Sequence, residues 1–197
     1  MIDLQRIGQW GVAVNALGKT LKQYGKAADV AVLRCAVDLE KVIKRGLRDQ
    51  APGGGNRIFY PLAQSTLRMR RWRGFRGTKA LIVSGDLLRS IRAVRHGRDV
   101  FVGVSRSERT RDGKEMVNIA AVHEYGSRAP RLVLVTPKMR KFFMAAFLAG
   151  ARDAPLKATT RTVIVYTPKR PYMEPGWDLW RETAGKRFAE YLEKELQ

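Results

Sequence analysis

Residues 28–49 read ADVAVLRCAVDLEKVIKRGLRD. Val32, Cys35, Ala36, Leu39, Val42, Ile43 and Leu47 recur in that stretch at three- and four-residue steps, which is one apolar stripe of an amphipathic helix. Lys41, Lys44, Arg45 and Arg48 take the remaining surface and crowd the C-terminal end, where the helix dipole favours cations. Ala51-Pro52-Gly53-Gly54-Gly55-Asn56 then forbids continuation. The stripe needs a cover, and the rest of the chain must supply it.

Working outward, residues 1–25 carry Gly8, Gly11, Gly18 and Gly25, a density that predicts a short or broken helix. Residues 64–73 predict a short helix with Ser65 as N-cap. Gly74 and Gly77 bracket the loop after it. Leu81-Ile82-Val83 leads into a turn at Ser84-Gly85-Asp86. Ile91 to Arg95 and Val100 to Val104 flank His96-Gly97-Arg98-Asp99, the pattern of a β-hairpin, with Val100, Val102 and Val104 on one face. Residues 105–114 form a polar loop. Residues 115–125 predict a helix closed by Gly126. Arg131 to Val135 predicts a strand, Pro137 to about Ala149 a helix that starts on its proline, and residues 160–166 a strand. Thr167 to Trp177 holds three prolines and reads as irregular. Residues 177–196 form a terminal helix with Trp180, Ala184, Phe188, Tyr191, Leu192 and Leu196 on one face. The order argues an α+β fold: a long N-terminal helix packed on a small antiparallel sheet, with additional helices and a C-terminal amphipathic helix. We expect a single domain over 1–197, with 1–27 an irregular N-terminal extension and 127–169 an insertion-like segment.

The 197 residues carry 38 Lys+Arg against 18 Asp+Glu, a net charge of +20. By segment the excess is +4 in 1–56, +11 in 57–114, +6 in 115–177 and −1 in 178–197. The charge therefore belongs to the body of the chain and not to a tail. A surplus of this size attracts polyanions, either nucleic acid or an acidic protein surface. Arg68, Arg70, Arg71, Arg73, Arg76 and Lys79, interleaved with Trp72 and Phe75, are the candidate polyanion or subunit contacts. Guanidinium groups with aromatics can grip phosphates and stack on bases, and can equally pair with carboxylates of a neighbouring subunit.

Catalytic chemistry is not legible. His123-Glu124 lacks the second histidine of a zinc-protease helix, and Glu124 reads as a local cap or pair. No phosphate-binding glycine loop and no dinucleotide fingerprint is present. Acidic residues are too scattered for a two-metal nuclease. The single cysteine, Cys35, falls on the helical stripe and reads as core. One Cys and two His (His96, His123) leave no structural zinc site. The expectation is a non-enzymatic protein with no cofactor, no metal, no secretory leader and no membrane span.

Four blocks occur in order. Tyr60-Pro61-Leu62 with Ser65, Thr66 and the arginine run precedes Leu81-Ile82-Val83-Ser84-Gly85-Asp86-Leu87-Leu88-Arg89-Ser90-Ile91. Val102-Gly103-Val104 follows, then Ala120-Ala121-Val122-His123-Glu124-Tyr125-Gly126, then Arg170-Pro171-Tyr172-Met173-Glu174-Pro175. Together, over about residues 35–195, they resemble the phage virion-morphogenesis and tail-completion family of Mu-like type. Two departures stand out. Ser84 replaces the usual threonine of the turn, and residues 127–169 separate blocks that shorter members join by a brief loop.

The resemblance implies a virion protein of the head–tail junction, made in the host cytoplasm. It implies a homo-oligomeric ring of six or twelve copies around the DNA channel. Implied partners are the head connector or adaptor, the tail terminator and the tail tube, with non-specific contact to packaged DNA. It marks Ser84, Gly85, Leu88, Ser90, His123, Glu124, Tyr125, Gly126, Arg170, Pro171 and Tyr172 as structural motif positions. In physical terms, Ser84-Gly85-Asp86 is a tight turn whose Ser or Asp oxygen would accept backbone N–H bonds. Pro171 and Pro175 would hold an extended segment, from which Tyr172 and Met173 anchor in a groove of the same or the next subunit. The alternative reading of the same charge is a sequence-independent DNA-binding protein.

Overall fold

The long helix α1 runs from Trp10 to Asp49, 40 residues, in a computed structural model that describes residues 10–55, 58–97, 99–110, 113–127, 131–148 and 161–197. Gly8, Asn56, Arg98, Arg111, Asp112, Ala149 and Thr160, which entered the sequence reading, lie outside the described residues. The helix is neither short nor broken at its glycines: Gly11, Gly18 and Gly25 all sit inside it. A mid-helix glycine costs about 1 kcal/mol relative to alanine but removes no hydrogen bond. Elongation from the buried part of the helix carries through such positions.

The stripe predicted for 28–49 is the core. Cys35, Leu39, Ile43 and Leu47 are buried and pack with Leu87, Ile91, Val104, Met116, Ala120, Tyr172 and Trp180. Full burial of each large aliphatic among them is worth roughly 1.5–3 kcal/mol. The cover comes from two elements. One is the hairpin β1 (Ile91–His96) and β2 (Asp99–Val104), antiparallel with Ile91 opposite Val104 and His96 opposite Asp99. Gly97, with φ of 64°, supplies the positive φ that its two-residue turn requires. Glu40 fixes the hairpin on α1 by accepting the Ala93 N–H at 2.7 Å, and Arg95 reaches Asp29 at 2.7 Å.

The other cover is α6, Met173–Leu196. It runs antiparallel to α1: Gly176 meets Ile43, Arg187 and Tyr191 bond Asp38, and Glu195 pairs with Arg34. A Cβ on Gly176 would lie 2.8 Å from Ile43 Cγ1, so glycine lets the two helices cross closely. Buried Asp38 accepts from the Tyr191 hydroxyl, from Arg187 at 3.2 Å and from Lys41 at 3.4 Å. Burial pushes its carboxyl up, but those three bonds outweigh it and hold it below the usual aspartate range.

α1 ends at Asp49, where the sequence reading ends it, and the next residue, Gln50, takes φ of 60°. The Ala51 N–H bonds the Gly46 carbonyl at 2.9 Å and the Gln50 N–H bonds the Leu47 carbonyl at 3.3 Å. These are the paired bonds of a Schellman end. Glutamine tolerates the strain because its side-chain amide is tied to Ala80, accepting its N–H at 2.5 Å and donating to its carbonyl at 3.1 Å. The irregular stretch expected up to Trp177 is helical from Met173. A proline in a first turn loses only an N–H that had no helical partner.

Between these covers lie α2 (Gln64–Trp72), α3 (Asp86–Ser90) and α4 (Met116–Tyr125). Ala63, not Ser65, is the N-cap residue of α2. Gly126 closes α4 with φ of 79°, as expected. Beyond it, β3 (Arg131–Leu134) and β4 (Thr162–Val165) form a second antiparallel ladder, with α5 (Pro137–Leu148) following β3. Ser127 and Thr167 close the base of this arm, the Ser127 N–H to the Thr167 carbonyl and the Thr167 N–H to Ser127 Oγ, both 3.1 Å. The arm also meets α2, where Trp72 is stacked on Phe142 at 5.6 Å. The long helix, antiparallel sheet, added helices and C-terminal helix on α1 are the α+β arrangement read from the sequence.

Candidate functional site

The motif positions of the third and fourth blocks meet at one buried point. Glu124, in the last turn of α4, is 7% exposed. Its Oε2 accepts the N–H of Tyr172 at 2.9 Å and of Met173 at 3.1 Å, and its Oε1 accepts that of Glu174 at 3.0 Å. These are the donors that the first turn of α6 leaves without a helical partner. The next residue is Pro175, which has no N–H. One carboxylate thus completes the N-terminus of α6, where the helix dipole also favours negative charge. Glu124 does cap, but it caps a helix about fifty positions away and not its own neighbourhood. That is invisible to a sequence reading of i, i+3 spacing.

The surrounding motif residues build the same clasp. The Arg170 N–H bonds the His123 carbonyl at 2.8 Å. At Gly126 an added Cβ would stand 3.3 Å from the Lys169 nitrogen, and φ is positive. Glycine is therefore required where the two segments touch. Tyr172, 1% exposed, fills the core of its own chain, so its anchoring groove is intramolecular. Burial, and then the Glu124 carboxylate, push its phenol far above the normal range. Pro171 is half-buried before it, and Tyr125 stands 76% exposed beside the clasp.

The first block lies across a cavity from this clasp. Gly85 takes φ of 81° and precedes α3, and Ser84 Oγ donates to Asp86 Oδ2 at 2.5 Å. The Ser84 hydroxyl therefore engages the Asp86 side chain, whereas a backbone N–H was expected. Asp86 also pairs with Arg89. Ser90 is buried with its hydroxyl on the Leu87 carbonyl, and Leu88 packs on the core edge.

The six basic candidates separate. Arg70 is 8% exposed, and its Nη1 donates to the carbonyls of Gly77, Lys79 and Ile82 at 3.1, 2.7 and 3.3 Å. It shapes the loop after α2 and is not an open polyanion contact. Lys79 Nζ donates to the Arg48 carbonyl at 2.5 Å, which satisfies the C-terminal end of α1. Arg71, Arg73 and Arg76 are exposed, and Arg68 is half-buried. Arg68 lines a groove of about 460 Å³ with Trp72, Lys138, Lys141 and Phe142, a cationic and aromatic surface that α5 completes.

Two apolar faces have no cover among the described residues. On the outer part of α1, Val14, Leu17, Leu21 and Tyr24 are each at least half exposed. They continue, at three- and four-residue steps, the face that carries Ala31, Cys35 and Leu39 in the core. On the arm, Leu132 and Leu134 are each 74% exposed, and Ile164 and Tyr166 are 67% and 62% exposed. Leu132, Leu134 and Ile164 share one side of the ladder, and Tyr166 follows just past the end of β4.

Among the described residues no group of His, Cys, Asp or Glu could hold a metal ion, and no helix is long and apolar enough to cross a membrane. Cys35 is buried, and burial followed by Asp38 pushes its thiol up, away from reactivity. Set beside known proteins, the chain matches no family model, no curated protein and no solved structure.

Proposed function

We propose that the chain is a non-enzymatic structural subunit of a phage neck or tail, of the tail-completion or head–tail joining kind, that assembles with copies of itself into a ring around DNA. The observation that carries the reading is the pair of uncovered apolar faces, one on α1 and one on the arm. Contiguous exposed apolar patches of this kind mark interaction surfaces. The two faces differ in shape, so the α1 stripe of one copy meets the ladder of the next. Such a head-to-tail contact closes into a ring when its rotation closes. The lysines of the outer helix, Lys19, Lys22 and Lys26, fall away from the stripe and do not obstruct the contact.

Two further features support the reading. The third and fourth blocks of the phage-family resemblance, though distant in sequence, are bonded to each other through Glu124, so they act as one structural unit. The net charge of +20 suits a subunit whose many copies share one polyanion or sit against acidic connector, terminator or tail-tube rings. Electron cryomicroscopy of particles assembled with this chain tests the assignment. Ring density for it at the head–tail junction is the expected result. Particles that join head to tail without any copy there would overturn it.

A second reading, sequence-independent DNA binding outside any particle, is favoured by the groove of Arg68, Trp72, Lys138 and Lys141. Trp72 is 64% exposed there, placed for stacking beside phosphate-binding cations. A slope of log K against log salt near zero would eliminate it.

A further inference from the structure

The cavity between the first block and the clasp, about 430 Å³, is walled by Arg70 and Arg73 of α2 and the residue after it, Asp86 of α3, His123 of α4 and Arg170. Three arginines thus line one space against a single lining carboxylate; Arg70 Nη1 is held by loop carbonyls, and the carboxylate is engaged by Ser84 and Arg89. Burial, and then Arg170, weaken the proton affinity of both Arg70 and His123. On two of the lining residues, Arg170 Nε and His123 Nδ1 are buried with no hydrogen-bond partner among the described residues. Buried polar atoms are ordinarily satisfied, and an uncompensated cluster of like charge is costly.

We propose that this cavity binds a phosphate-class oxyanion, held by Arg73 and Arg170 with Arg70 and His123 completing the wall. An anion there offsets the mutual repulsion of the guanidinium groups and accepts from a fork of fixed geometry. The oxyanion is either free phosphate or one phosphate of a DNA backbone, and the chemistry of capture is the same. The site does not depend on ring assembly, because every wall residue comes from one chain.

The test is titration calorimetry of the full chain with inorganic phosphate, against sodium chloride at matched ionic strength. Saturable phosphate binding is expected. Arg73→Gln and Arg170→Gln should each weaken it about tenfold or more. Arg73 makes none of the carbonyl bonds that shape the loop, so its variant keeps the fold if Arg170→Gln does not. The His123 imidazole, followed by NMR, should titrate at higher pH when phosphate is bound. Arg70, Arg73, Asp86 and Arg170 line the same cavity, and Glu124 adjoins His123 on α4. A short DNA duplex distinguishes the sources: competition between duplex and phosphate assigns the site to a backbone phosphate, and independent binding assigns it to the free ion. Heat no different from the chloride control, or equal affinity in wild type and Arg73→Gln, would overturn the proposal.

Discussion

The two parts of α1 present the same face to opposite surroundings. From Ala27 to Leu47 the stripe is buried under the hairpin and α6. From Gly11 to Tyr24 it continues with Val14, Leu17, Leu21 and Tyr24 into solvent. Glycine makes the contrast sharper. A Cβ on Gly46 would lie 2.7 Å from Pro52 Cα, whereas one on Gly11, Gly18 or Gly25 meets nothing within 4 Å. An amphipathic pattern therefore states that a face will be covered, and the remaining chain decides whether the cover is its own. Here it covers the inner part alone, and we propose that another copy covers the outer part.

The comparison breaks most readily at Glu124, which holds the start of the helix that covers the inner part. Glu124→Ala leaves one buried and two part-buried N–H groups without their acceptor, and urea unfolding should show a loss of about 3–4 kcal/mol. Glu124→Gln keeps one accepting oxygen and should lose about half as much. Next come the close approaches on the inner part. Gly46→Ala and Gly176→Ala should each cost about 1–3 kcal/mol, because backbone or Ile43 must move. For Gly176→Ala, adding Ile43→Val should recover part of the loss in a double-mutant cycle.

Asp38 supplies a smaller, pH-dependent effect. Its folded pKa lies below the unfolded value, so its contribution is fully present above the unfolded value, about pH 4, and is lost as pH falls through the folded value. Asp38→Asn should cost about 1–2 kcal/mol near neutrality, and its stability should converge with wild type on acidification. The smallest effects belong to the outer part. Gly18→Ala should stabilise the chain by about 0.5–1 kcal/mol, and Leu21→Glu should leave it within about 0.5 kcal/mol of wild type.

The same contrast explains what the sequence could disclose. The stripe from Cys35 to Leu47, the hairpin around Gly97, the Gly126 closure and the body of the terminal helix are all set by local periodicity or a single φ requirement and are legible in the sequence, whereas Val32, read on the stripe, is exposed. What failed was set by tertiary contact. The early start of α6 depends on Glu124, about fifty positions back. The continuity of α1 through Gly18 and Gly25 depends on the buried segment that follows. Arg70 looked like its exposed neighbours in the arginine run because no local pattern reports which guanidinium turns inward. Two signals were available for the site: Glu124 in a polar pair at a helix end, and prolines flanking Tyr172. Only the fold joins them.

We propose that the faces left uncovered by this chain are covered by a second copy of it. Sedimentation velocity of the purified full chain over a range of concentrations tests it directly, with Leu21→Glu and Ile164→Glu alongside. Wild type should form a closed oligomer, and both variants should be monomers with unfolding midpoints unchanged. A wild-type chain that stays monomeric at every concentration, or variants that assemble as wild type does, would contradict it.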